Sequence, residues 1–107
     1  MRLSSVLLNG RPTWGVIADD GTFVDAAGVA GAPSTLDEHI EHPDLSIVAG
    51  LRAAALAGGG VETDRLAWLP PVRRPSKVIG VAINNSIGQR IAHRPFANPA
   101  FFFKPSS

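Results

Sequence analysis

The sequence predicts an α+β fold, and three observations carry that prediction. Short β-rich runs separated by turn pairs occupy the N-terminus, capped helical patterns fill the middle, and apolar strand-like runs follow a proline-rich stretch. Hydrophobic residues make up 45% of the 107 residues and charged residues 18%, a balance that supports a packed core.

Residues 2–8 and 13–18 read as strands, with Val6, Leu8, Val16 and Ile17 supplying β propensity. Asn9-Gly10 between them is a favoured hairpin turn pair. Asp19-Asp20-Gly21 marks a second turn before Thr22-Phe23-Val24-Asp25, which together predict a small three-stranded antiparallel meander. Residues 26–33, rich in Gly and Ala, read as loop.

Two short helices follow. Thr35 and Glu38 have capping-box spacing, and Pro43 ends the first helix. Asp44 can cap the second, whose apolar face would comprise Ile47, Val48, Leu51, Ala54 and Ala55. Gly58-Gly59-Gly60 stops it as a helix cap. It lacks the Lys-Ser/Thr of a phosphate loop and does not match the dinucleotide fingerprint.

Pro70 to Pro75 reads as a stiff link, because proline fixes its own φ and biases its neighbour to extended backbone. The composition shift there divides the chain into residues 1–69 and 70–107. Residues 77–83 form a continuous apolar run with the pattern of a strand buried on both faces. Residues 84–99 read as loop and 101–104 as another strand. Trp14, Trp68 and the Phe101-Phe102-Phe103 run are expected in the core.

Charge and composition exclude several classes. A formal net charge of +1 argues against a dedicated nucleic-acid binder. The absence of cysteine removes disulfides and thiolate metal sites. No apolar run approaches the ~20 residues of a membrane span, and the N-terminal apolar patch is too short for a signal core. A cytoplasmic location is expected. Asp37 to His42 is rich in potential metal ligands, with His39 and His42 three apart, but further convergent ligands are not evident and a solvated helix end is expected. No Ser/His/Asp nucleophile arrangement is apparent.

The segment Lys77-Val78-Ile79-Gly80-Val81-Ala82-Ile83-Asn84, a loop, and then Phe102-Phe103-Lys104-Pro105-Ser106 resembles the entry to the catalytic domain of the fumarylacetoacetate hydrolase family. There a small N-terminal domain and a Pro-rich link precede K-I-I-x-V-G-x-N, Y-x-x-H and F-x-K-P-[ST]. Trp14-Gly15-Val16-Ile17 with Asp20-Gly21 is similar to the family's opening hairpin. The form Val81 to Asn85 is nearest to the decarboxylase/isomerase branch that acts in homoprotocatechuate breakdown. Residues 70–107 would then carry the first strands of a mixed, β-rich catalytic domain.

The resemblance implies an enzyme acting on 2-oxo acids or acylpyruvates, by hydrolysis, decarboxylation or isomerisation in aromatic catabolism. It also implies a homodimer and a magnesium ion that acts as Lewis acid towards an enolate. Lys104 would stabilise the developing negative charge, and it also reads as a strand-end lysine pointing to solvent. Asn84, Asn85, Arg90 and Ser106 would contact substrate, with Arg90, His93 and Arg94 in a loop that would act as a lid; the same basic loop also reads as an ordinary solvated one. Ser106 also reads as an ordinary turn residue after proline, and Asn85 as a turn asparagine. The family's metal ligands come from an E-x-E pair and a later aspartate; no Glu-x-Glu occurs in residues 1–107, so this segment is expected to bind no metal. Asn85 stands where the family has tyrosine and Gly88 where it has histidine. That departure admits a second reading, a non-catalytic assembly or gating module of the same fold.

Overall fold

The computed structural model describes residues 1–82 and 100–104. The chain divides into two units, Met1–Arg73 and Arg74–Ser107.

The first unit starts with a hairpin. Strands β1 (Arg2–Leu8) and β2 (Arg11–Ile17) pair antiparallel with Leu8 opposite Arg11. The two residues between them, Asn9 and Gly10, have φ of 52° and 79°. That is the doubly left-handed turn whose twist matches the flanking strands. Pro12 is tolerated in β2 because the narrow turn pair is Leu8–Arg11, so the next residue's missing N–H points away from β1.

Asp20 organises the second turn. Its Oδ1 accepts from the Thr22 N–H at 2.9 Å and the Thr22 hydroxyl at 2.7 Å. Strand β3 (Phe23–Asp25) then pairs with β2. The expected meander is present, but the sheet has a fourth strand. β4 (Leu66–Leu69) lies antiparallel to β1, giving the order β3-β2-β1-β4.

Two helices cover one face. Helix α1 (Leu36–Glu41) is capped by Thr35, whose Oγ1 accepts from the Glu38 N–H at 3.2 Å. The Glu38 carboxylate in turn accepts from the hydroxyls of Ser34 and Thr35. Helix α2 (Leu45–Leu56) starts at Asp44, which accepts from the Ser46 N–H at 2.8 Å. It ends in a Schellman turn: Gly58, at φ 77°, donates to Ala55 O and Gly59 donates to Ala54 O.

The core lies between sheet and helices. Trp14, Val16 and Val24 from the strands meet Leu36 of α1 and Ile47 and Leu51 of α2. Each such burial contributes about 1.5–3 kcal/mol. On the opposite sheet face Val6, Ile17 and Phe23 are buried under Leu8, Val61 and Leu66. Val61 is held there by paired backbone bonds with Phe23, both 2.8 Å.

Three side-chain expectations are corrected here. Trp68 is 60% exposed: it stands on β4, the outer strand of the four-stranded sheet, where one flank has no strand neighbour among the described residues. Val48 turns away from the core: with Leu45, Ala49, Arg52, Ala53 and Leu56 it lines an outer groove of about 370 Å³. So α2 is apolar on both sides, with Leu45 and Leu56 more than four-fifths exposed. His39 is not at a solvated helix end but buried.

The second unit contains an antiparallel pair, β5 (Val78–Ala82) and β6 (Ala100–Lys104). The apolar run is a strand, but Ile79 and Val81 are exposed, so it is not buried on both faces. Phe102 and Phe103 are likewise exposed rather than core. Among the described residues no helix is long and apolar enough to cross a membrane.

Candidate functional site

The two strands that carry the candidate motif are neighbours in space. Val78 stands opposite Lys104, Ile79 opposite Phe103 and Gly80 opposite Phe102. Strand alternation places Lys104 and Phe102 on the same face as Val78 and Gly80. The Phe102 ring lies over Gly80, where a Cβ would collide with it. A side chain at this position would push the partly exposed Phe102 ring aside, so glycine here permits the close approach of the ring to the β5 backbone. Lys104 is exposed. It closes β6 opposite Val78, and an exposed ammonium at a strand end can attract an anionic group. Asn84, Asn85, Arg90 and Ser106 lie outside the described residues, as do Gly88, His93 and Arg94.

In the first unit the histidine-rich stretch does not converge. His39 is 6% exposed and stacks on Trp14, with ring centroids 4.9 Å apart and planes 24° apart. Trp14 is fixed by its Nε1–H, which donates to Pro33 O at 2.7 Å. The His39 Nδ1 is buried without a hydrogen-bond partner among the described residues. His42 follows the last residue of α1 and is exposed. Among the described residues no group of three or more His, Asp or Glu side chains is placed to hold a metal ion.

A polar cluster that sequence reading misses joins β2 to β3. Asp25 accepts from the Arg11 guanidinium, from the Thr13 hydroxyl at 2.6 Å and from the Ala27 N–H at 3.0 Å. Burial pushes the Asp25 carboxyl up, but the bonds from Thr13, Ala27 and Arg11, with the Arg11 charge, outweigh it and hold the group below its ordinary value. Arg11 and Thr13 share a face by strand alternation, which was readable; their meeting with Asp25 depends on the β2–β3 register. Both Asp25 oxygens accept within the cluster, and Asp25 caps the turn at Ala26–Gly28.

No family model matches the chain, and neither a curated protein nor a solved structure matches it.

Proposed function

We propose that the chain is the N-terminal part of a fumarylacetoacetate hydrolase family enzyme, acting on 2-oxo acids or acylpyruvates. The reaction would be C–C bond cleavage, hydrolytic or decarboxylative, or isomerisation. One observation supports this reading most. The two segments with the family's motif order, though separated by a loop in the sequence, pair as β5 and β6, with Lys104 at the end of the pair.

On this reading Lys104 holds an ammonium against the enolate oxygen that develops as the bond breaks. Asn84, Asn85, Arg90 and Ser106 bind the substrate. The enzyme is a cytoplasmic homodimer without nucleic-acid or membrane partners. Among the described residues no group of carboxylates is placed to hold the magnesium ion that the resemblance implies; its ligands would be an E-x-E pair and a later aspartate, which residues 1–107 do not supply. Gly88 favours a second reading, an assembly or gating module, because glycine cannot relay a proton where the family has histidine.

The test is the intact mass of the native gene product, followed by assays on an acylpyruvate and on oxaloacetate with magnesium. A product well above 11.2 kDa that carries an E-x-E pair and turns over one of these substrates supports the enzyme. A larger product without those carboxylates supports the module. A product of 11.2 kDa overturns the catalytic reading.

A further inference from the structure

We propose that Ser76 is a phosphoacceptor for a basophilic serine/threonine kinase. The segment Arg73-Arg74-Pro75-Ser76-Lys77 carries three cations and no acid, in a chain whose formal net charge is only +1. All of these residues except the half-buried Pro75 are exposed, and none belongs to a helix or strand. The backbone N–H of Arg73 is tethered to Asp37 Oδ1 at 3.1 Å, while its side chain remains at the surface. Pro75 fixes its own φ, and the backbone bends at Arg73, Arg74 and Ser76, so the serine lies on an irregular surface segment not committed to a strand or helix.

Kinase chemistry needs an acceptor hydroxyl that can reach in-line position, and so one not engaged in its own fold. Among the described residues, the other hydroxyls that follow an arginine within three residues fail that requirement. Ser4 and Ser5 follow Arg2 but sit in β1, paired to β2, and the Ser5 Oγ donates to Pro71 O at 3.1 Å with the residue 2% exposed. Thr13 follows Arg11 but is buried and bonded to Asp25. Among the described residues Ser76 combines exposure, irregular backbone and two arginines at the second and third positions before it.

In the transfer, Ser76 Oγ forms a bond to the γ-phosphorus of MgATP and the bond to the β,γ-bridging oxygen breaks. ADP leaves, and the hydroxyl proton passes to the kinase's catalytic carboxylate. Carboxylates in the kinase cleft recognise the two guanidinium groups through charge-assisted bonds. The product places about −1.5 to −2 charges beside Arg73, Arg74 and Lys77, which can then bond the phosphate.

The purified chain is incubated with the catalytic domain of an arginine-directed kinase and MgATP, and the phosphopeptides are mapped. One phosphate at Ser76 is expected, with incorporation lost in Ser76→Ala. The Arg73→Ala/Arg74→Ala variant should raise the KM for the chain by about tenfold or more. Absence of incorporation, incorporation unchanged in Ser76→Ala, or a KM insensitive to the arginines overturns the proposal. Circular dichroism confirms that each variant is folded, as expected for changes at exposed positions.

Discussion

The His39 imidazole lies against the Trp14 indole, 4.9 Å between centroids, and so clamps helix α1 onto strand β2. The indole is anchored on its other side through Pro33 O, so three separate segments meet at one stacked pair.

Replacing His39 by alanine should therefore destabilise the first unit by about 2–4 kcal/mol, through the cavity and the lost stacking. His39→Phe should be no less stable than the parent, because it keeps the stack and removes the buried Nδ1 that lacks a partner. Urea midpoints of the two variants check this. A phenylalanine variant as unstable as the alanine one would show that Nδ1 is bonded after all.

Asp25 should make the first unit acid-sensitive. Its folded-state carboxyl lies below the ordinary value, so its contribution is present above the unfolded value of about 3.9 and is lost as pH falls through the folded one. Asp25→Asn should cost about 1–3 kcal/mol at neutral pH, since a charged acceptor serves three donors. It should also flatten the fall in stability below pH ~4. Thermal midpoints across that range, parent against variant, decide the matter; parallel curves would exclude the carboxylate.

Gly58→Ala should shorten or fray the end of α2. Its φ of 77° is strained for any residue with a Cβ, at a cost of about 1–2 kcal/mol. Gly28→Ala, where a Cβ meets nothing within 4 Å and φ is not positive, is the matched control. Equal melting temperatures for the two variants would contradict the cap.

If the proposed enzymatic reading holds, Lys104→Ala in the complete protein should lower turnover by about 10²–10³ while metal affinity changes much less. Steady-state kinetics beside metal titration separate the two effects. An unchanged rate would take Lys104 out of the site.

Much of the fold was legible where the chemistry is local. Asn9-Gly10, Asp20, Thr35, Asp44 and Gly58 each act on backbone groups within a few residues, and each turn or cap stands where its spacing places it. What depends on distant partners was not legible. Leu66 to Leu69 is a strand because β1 offers an open edge, not because its own four residues alternate. Trp68 and His39 exchange their expected places for the same reason: burial is decided by what stacks above a residue, and sequence spacing does not report it. At the candidate site the pairing of β5 with β6 makes Lys104 and Val78 neighbours, whereas Asn84, Asn85, Arg90 and Ser106 fall outside the described residues.

The sheet order also constrains how the chain is made. β1 is synthesised well before its outer partner Leu66–Leu69, and the Ser5 hydroxyl finds its acceptor on Pro71, 66 residues on. A nascent chain can close the β1–β2 hairpin early, yet one edge of β1 stays open on the ribosome until β4 has emerged. Such long loop closure slows folding, and an unpaired apolar edge in the interval is an opening for a chaperone or for a neighbouring chain.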